Sequence, residues 1–308
     1  MKKLGYLLLL VPLLFLGTEN HEASLEKKLV ANWNDTALNF NDDHLTFRYA
    51  IEIQDPLPSP KDLEITYRKL DTYFALQMLE KGNKKIRKMI EISKSILNET
   101  AILWENESIK VSKNNYEGRI WLDTYCMLAW FTNNSHLKQN IADSLDYEKN
   151  LWIDDGLYTE GNWRQNSDEV WCIMALLDYN RTLSENLINI HLQEIQKELA
   201  FEEGYNKAAT YLHSIMMLNY AKAAGFKGFE EEHQRLVEDS FKYLKSSGLI
   251  SRLDLAPNFL WVYEKSGIKM KEVKDLKETV LKNSKNIEEN YPGLESFIIL
   301  QVLKALYV

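Results

Sequence analysis

The sequence predicts an all-α fold in which an inner ring of six helices is enclosed by an outer ring, an (α/α)6 toroid of helical hairpins. Gly and Pro are scarce, 12 and 6 among 308 residues, which favours long helices over short strands. Two kinds of helical segment alternate, one apolar on nearly all sides and one with a single apolar stripe. Aromatic residues of the first kind recur at about 40 to 50 residues, the period of a helical-hairpin array.

The first 20 residues predict an export signal. Lys2 and Lys3 precede an apolar run over residues 4–16, which is too short for an ordinary spanning helix but suits a signal-peptide core. Small residues match the possible cleavage points poorly, so a short uncleaved anchor is the alternative. We therefore expect an extracytoplasmic protein, secreted or anchored by this segment alone, with a single domain over residues 21–308.

Two further features bear on export. The first is a set of five Asn-x-Ser/Thr sites, at Asn34, Asn98, Asn106, Asn133 and Asn180. The second is the pair Cys126 and Cys172, which are the only cysteines and fall at near-equivalent depths of neighbouring inner helices. A bond between them is conceivable in an oxidising compartment. The expected spacing argues against it, because packed helix axes lie about 8–10 Å apart and a disulfide needs Cα atoms within about 7 Å.

The helices follow in order after the signal. A short amphipathic helix is expected over residues 25–33, and a Pro-containing loop or linker follows it. The apolar, inner segments are 70–79, 121–131, 170–177, 208–224, 255–263 and 294–307, with Tyr73, Tyr125, Trp171, Tyr211, Phe259 and Phe297 as corresponding aromatics. The striped, outer segments are 86–97, 137–145, 188–199, 229–244 and 270–281, and residues 25–33 supply a sixth.

An open solenoid of hairpins has the same period as a closed ring. Closure is favoured because a solenoid leaves its concave face wet, whereas these inner helices are apolar all round. The terminal helix of an open array would also lack an outer partner.

Three stretches resemble a known repeat. They are LDTYFAL from Leu70, LDTYCML from Leu122, and IDDGLYTEGN leading to SDEVWCIMAL. They resemble the repeat of the terpenoid cyclase and protein prenyltransferase α/α-toroid superfamily, in which a Gly-rich turn precedes an Asp and an aromatic residue that open each inner helix.

The resemblance implies a fold and not a reaction. The chain has no Asp-x-Asp-Asp acid motif, no Gln/Trp repeat motif, no prenyltransferase zinc motif and no Gly-Cys-Gly-Glu-Gln thioester. Six-hairpin glycoside hydrolases and polysaccharide lyases use a similar ring of helices. No cofactor and no metal site are expected, since the histidines show no metal-ligand spacing.

A mouth is expected where the inner helices begin, because all inner helices of such a ring run the same way. Four aspartates fall at this end, each with an arginine shortly before it, which predicts a circle of opposite charges around a cavity. An N-cap role is the alternative for each Asp. The aspartates are Asp71, Asp123, Asp168 and Asp254, and the arginines are Arg68, Arg119, Arg164 and Arg252.

Candidate site residues cluster in the second and third hairpins. A glycosidase needs two carboxylates about 5 to 9.5 Å apart, and the catalytic candidates are Asp123, Asp155, Glu160 and Asp168. The ligand-binding candidates are Arg119, Trp152, Tyr158, Trp163 and Arg164. Packing in the core is the alternative for Trp171 and Tyr125. For His213 a satisfied core histidine is favoured over a base or ligand.

The charge balance bears on partners. A net charge of −8 and a pI near 5.4 argue against a nucleic-acid partner. We expect a protein that binds a glycan or another small ligand in a cup at the mouth, with no assignable reaction. A carbohydrate-active enzyme on the same scaffold is the alternative, and an isoprenoid-handling protein is a third. Whether the protein is an enzyme stays open.

Overall fold

The protein is all-helical in every part described by the structure, a computed structural model. The described residues are 21–30, 70, 73–74, 84–106, 116–147, 164–290 and 295–307, and no strand occurs among them. The helices are α1 (residues 21–30), α2 (Lys84–Trp104), α3 (Tyr116–Thr132), α4 (Ser135–Tyr147), α5 (Arg164–Leu176), α6 (Arg181–Phe201), α7 (Gly204–Ala223), α8 (Glu230–Ser246), α9 (Ala256–Ser266), α10 (Val273–Asn283), α11 (Ile287–Asn290) and α12 (Glu295–Leu306). Short 3-10 turns cover Leu249–Ser251 and Ser284–Asn286.

The enclosed helices form a connected inner layer. Along the chain α3 contacts α5, α5 contacts α7, α7 contacts α9 and α9 contacts α12. Every residue over 170–177 is buried, as expected for an unbroken apolar run. These helices coincide with the inner segments that the hydrophobic pattern predicts.

The striped helices pack outside this layer. Helix α4 contacts α3, α6 contacts α5, α8 contacts α7 and α10 contacts α9. In α8 the buried side chains recur at helical spacing, including Leu236, Val237, Phe241 and Leu244, while three glutamates occupy its first turn. One face of each such helix is therefore dry and the other wet.

Cross-helix hydrogen bonds show that α7 and α9 run in the same direction. Asn219 Nδ2 donates to the carbonyl of Val262 at 2.9 Å, and Lys222 Nζ donates to that of Ser266 at 2.9 Å. Both partners advance together along the two helices. The paired positions are 43 and 44 residues apart, which agrees with the predicted repeat period.

The start and the end of the described chain also meet. Leu25 and Leu29 of α1 are buried in the core. His21 Nε2 lies 2.8 Å from Ser284 Oγ, and the hydroxyl of Tyr307 donates to Glu26. Helix α1 thus covers the end of the chain.

The end of α2 departs from the regular hairpin layout. Asn134 Nδ2, in the turn between α3 and α4, donates to Glu105 Oε1 at 2.7 Å, and Asn140 donates to the Glu105 carbonyl at 3.4 Å. An outer helix in the predicted layout would instead end beside the beginning of the next inner helix. The segment that joins Glu105 to α3 lies largely outside the described residues.

Helices α3 and α5 are joined by a disulfide between Cys126 and Cys172, with a Cα–Cα distance of 4.8 Å. The argument against this bond was wrong, because it used the spacing of helices with ordinary side chains. Ala129 and Ala175 lie one turn beyond the two cysteines and are fully buried. Small residues at a contact let two helices approach more closely than the usual distance.

Candidate functional site

Side chains from all six predicted inner segments meet in one group. We call it the central cluster, and its members are Phe74, Trp130, Trp171, His213, Tyr220, Trp261 and Lys304. The Phe74 ring centroid lies 5.6 Å from that of Trp171 and 5.8 Å from that of Trp261. The rings of Trp130 and Tyr220 are 4.9 Å apart. Rings at such distances and with tilted or edge-to-face geometry attract one another.

Three members of the cluster lie at the C-terminal ends of their helices, whereas His213 lies at the middle of α7. Trp130, Tyr220 and Lys304 each fall within the last turn of α3, α7 and α12. Trp171 and Trp261 come about one turn before the ends of α5 and α9. The N-terminal halves of these helices therefore extend beyond the cluster on one side.

A buried lysine is part of the cluster. Lys304 is 2% exposed, and its ammonium lies 4.5 Å from the Phe74 ring centroid and 5.1 Å from that of Trp261. It donates a hydrogen bond of 2.6 Å to Asn258 Oδ1. Aromatic faces and an amide oxygen offset part of the cost of burying the charge.

His213 stands beside this charge. Burial, the ammonium of Lys304 and the neighbouring His191 lower the pKa of His213 to about 4. The imidazole is therefore neutral at neutral pH, and one ring nitrogen can accept a hydrogen bond or a proton. Its ring lies 6.3 Å from that of Trp171.

Several members of the cluster are enclosed and yet accessible. Burial raises the pKa of Tyr220 to about 12, and burial is also the main cause of the lowered pKa of His213. Both side chains are nevertheless only half-buried, as are Phe74 and Trp130. These four side chains therefore keep surface that a small ligand can contact.

Two predicted catalytic residues lie inside helices and not at their N-termini. Asp123 is the eighth residue of α3 and Asp168 the fifth of α5, so the expectation that they open these helices was wrong. Helix-compatible residues precede each apolar run, and without Pro or a turn signal they extend the helix backwards. Asp123 is buried at 8% exposure and lies seven residues before Trp130, hence on the same helix face and about 10 Å nearer the N-terminus.

Asp123 and Asp168 lie at similar distances from the disulfide along α3 and α5. Asp123 comes three residues before Cys126 and Asp168 four residues before Cys172. Because the disulfide joins α3 to α5 at these cysteines, each aspartate lies about one helical turn from the bond.

Two of the predicted ligand-binding residues lie at the starts of α3 and α5. Arg119 occupies the first turn of α3, and Arg164 is the first residue of α5. The remaining candidates lie outside the described residues; they are Trp152, Asp155, Tyr158, Glu160 and Trp163.

One predicted Arg–Asp pair is present just before α9. Arg252 Nη2 lies 2.6 Å from Asp254 Oδ2, and Arg252 Nε donates to Asp254 Oδ1 at 3.0 Å. Asp254 does not cap α9, because Leu255 holds the N-cap position. A cavity of about 450 Å³ lies beside this pair, lined by Ser251, Arg252, Leu253, Asn283 and Asn290.

Sequence reasoning missed much of the central cluster. It did not select Lys304, Asn258, Trp130 or Trp261. A signal existed for Lys304, because it is the one charged residue inside the apolar stretch 296–306. No comparable signal marks the tryptophans, since aromatic residues in enclosed helices are usually core.

The described part of the chain contains no group of three or more His, Cys, Asp or Glu side chains able to hold a metal ion. Within the same part, no helix is both long and apolar enough to cross a membrane.

Comparison with known protein families, curated proteins and solved structures found no match.

Proposed function

We propose that the protein is an exported α/α-toroid that binds a glycan or another small ligand in a central cup. The cup lies between the N-terminal ends of the inner helices and the central cluster. The observation that carries the proposal is the cluster itself, in which half-buried aromatic rings stand beside Lys304, Asn258 and a neutral His213. Aromatic faces stack on sugar rings, and a few convergent polar groups orient a ligand.

The contacts of the inner helices support a closed ring. Phe74 lies against Trp130 of α3 on one side and Lys304 of α12 on the other. Together with the chain of contacts from α3 through α5, α7 and α9 to α12, this brings the two ends of the inner layer together. The layout is irregular at α2, which ends beside the turn between α3 and α4.

The disulfide supports export. Cys126 and Cys172 are both fully buried and bonded to each other. Disulfides persist in oxidising compartments and are rare in the cytosol. The charged and apolar pattern of the first 20 residues points the same way, and any membrane attachment runs through that segment.

A carbohydrate-active enzyme is the second candidate. The observation that favours it is the common level of Asp123 and Asp168 on two helices joined by a disulfide. Hydrolysis of a glycosidic bond uses two carboxyl groups about 5 to 9.5 Å apart, and tightly packed neighbouring helices place residues at such separations. Asp155 and Glu160 stay candidates for the same role.

Binding to a glycan array followed by product analysis tests both candidates. We expect the purified, disulfide-bonded protein to retain at least one glycan, and His213→Gln to weaken that binding by about tenfold, which corresponds to the loss of one buried polar contact. Tyr179→Phe is a matched control, because Tyr179 is exposed and contacts Gln139 away from the central cluster.

The same assay includes Trp163→Ala and two carboxylate variants. Cleavage products that disappear in Asp123→Asn or Asp168→Asn, with binding retained, would identify the protein as an enzyme. Unchanged binding and turnover in all four variants would show that the cup is not the site.

A further inference from the structure

A second concave site lies at the mouth, separate from the central cluster. Its cavity of about 450 Å³ falls within the usual size of small-molecule sites. Ser251, Arg252 and Leu253 come just before α9, while Asn283 ends α10 and Asn290 ends α11, the short helix before α12. The cavity therefore sits between the segments that lead into two neighbouring inner helices.

The walls of this cavity are held in place by several contacts. Asn283 Nδ2 donates to the Ser251 carbonyl at 2.9 Å, which ties the end of α10 to the 3-10 turn before α9. Two hydrogen bonds to Asp254 orient the Arg252 guanidinium. The same guanidinium lies 5.4 Å from the ring centroid of Tyr205, at the start of α7.

The chemistry of the lining favours a neutral, hydroxyl-rich ligand. Asp254 balances the charge of Arg252, so the cavity presents no net charge from this pair. A hydroxyl from Ser251 and the carboxamides of Asn283 and Asn290 both donate and accept hydrogen bonds, as neighbouring sugar hydroxyls require.

Aromatic surface is present at the same end of the molecule. Tyr205 is 41% exposed, and Phe201, which ends α6 just before α7 begins, is 81% exposed. Exposed aromatic faces of this kind suit the apolar face of a sugar ring.

Helix α9 connects the cavity to the central cluster. Helix α9 begins at Ala256 beside the cavity and reaches Trp261 of the cluster after five residues, about 8 Å along the helix axis. A single oligosaccharide can span this distance.

We infer that the cavity beside Arg252 is an outer subsite for a neutral sugar ring of a glycan whose other end occupies the central cup. This inference rests on the proposed function and narrows it, because the ligand becomes an oligosaccharide with at least two bound rings. Asn290 and Tyr205 contact the outer ring, and Arg252 is held for it by Asp254.

Affinity as a function of oligosaccharide length tests the subsite. The probes are neutral oligomers of glucose, mannose, galactose and N-acetylglucosamine, each from disaccharide to hexasaccharide, with uronic acid oligomers as the charged arm. We expect the protein to bind a neutral series with affinity that rises with length. In Asn290→Ala the longest oligomer should bind about fivefold more weakly while the disaccharide is unaffected, since one hydrogen bond is removed.

Asn286→Ala is the matched control, because Asn286 is an exposed neighbour of Asn283 and Asn290 that does not line the cavity. Tyr205→Ala should repeat the effect of Asn290→Ala. If neither variant alters the length dependence while His213→Gln still weakens binding, the outer subsite is refuted and the central cup stands. If the unaltered protein binds no probe of any length, both the subsite and the proposed glycan function are refuted. Tighter binding of the uronic acid series would overturn the neutral specificity.

Discussion

Lys304 and His213 show how a buried charge sets the chemistry of its neighbour. The Lys304 ammonium is enclosed by aromatic rings and by Asn258, and its charge adds to burial in lowering the pKa of His213. A second pair, Lys222 of α7 and His233 of α8, has the same relationship. There, burial and the nearby Lys222 lower the pKa of His233 to about 4. The effect of a nearby lysine on a histidine pKa can therefore be compared between the two pairs.

Replacement of Lys304 by Met is expected to raise the pKa of His213. Methionine keeps the length of the side chain but removes the charge that opposes protonation. NMR titration of the imidazole should show an upward shift of the pKa, with burial still holding it below 6.5. Lys222→Met should shift His233 and leave His213 in place. An unchanged His213 pKa in Lys304→Met would contradict the assignment of this contact.

The sign of the pH dependence follows from the same values. The pKa of His213 falls from 6.5 in the unfolded chain to about 4 in the folded protein, so folding favours the neutral ring. Its contribution to stability is complete above pH 6.5 and is lost as the pH falls from 6.5 toward 4. Lys304→Met should make this acid loss smaller.

The contact between α3 and α5 depends on small side chains. Cys126, Ala129, Cys172 and Ala175 are all fully buried, and they let the two helices approach to the distance of a disulfide. This contact places Trp130 beside Trp171, with ring centroids 5.5 Å apart. The pair of helices thus forms one wall of the central cluster.

Loss of the disulfide is expected to destabilise the fold. The bond closes a loop between positions 46 residues apart, and a loop of that size corresponds to about 2–4 kcal/mol of unfolding free energy. Urea unfolding of Cys126→Ala/Cys172→Ala against the unaltered protein measures the difference. A reducing agent should destabilise the unaltered protein and have no further effect on the double variant. Equal midpoints for all samples would show that the bond adds no stability.

Helix α1 packs against residues near the end of the described chain. This helix inserts Leu25, Leu29 and Val30 into the common core and contacts Ser284 and Tyr307. Such contacts join residues more than 260 positions apart in sequence. Helix α1 is therefore part of the folded unit and not an appendage of the preceding segment.

Leu29→Ala is expected to lower the unfolding free energy by about 2–5 kcal/mol, the cost of a cavity at a fully buried leucine. Lys27→Ala, on the exposed face of the same helix, should change it by less than about 0.5 kcal/mol. Thermal or urea unfolding measures both. A small effect of Leu29→Ala would show that α1 does not belong to the cooperative fold.

Hydrophobic periodicity was sufficient to identify the class of fold and the two kinds of helix. A helix that packs on one side shows a stripe and a helix enclosed by protein does not, and this difference is local in sequence. Helices were predicted over 121–131, 170–177, 208–224 and 255–263 on that basis, and each of these segments is helical and packs against a striped helix.

The orientation of the enclosed helices and the distances between them could be learned only from the folded molecule. A helix that is apolar all round carries no pattern to say which face points to the centre. Tyr125 packs on Trp104 of α2 and Tyr211 on Tyr243 of α8, so these aromatics face the outer layer, whereas Trp130 and Trp171 face the centre. The Cys126–Cys172 bond, the end of α2 and the partners of Lys304 likewise depend on distances between helices. Those distances are set by the packing of all side chains at once, and no single stretch of sequence encodes them.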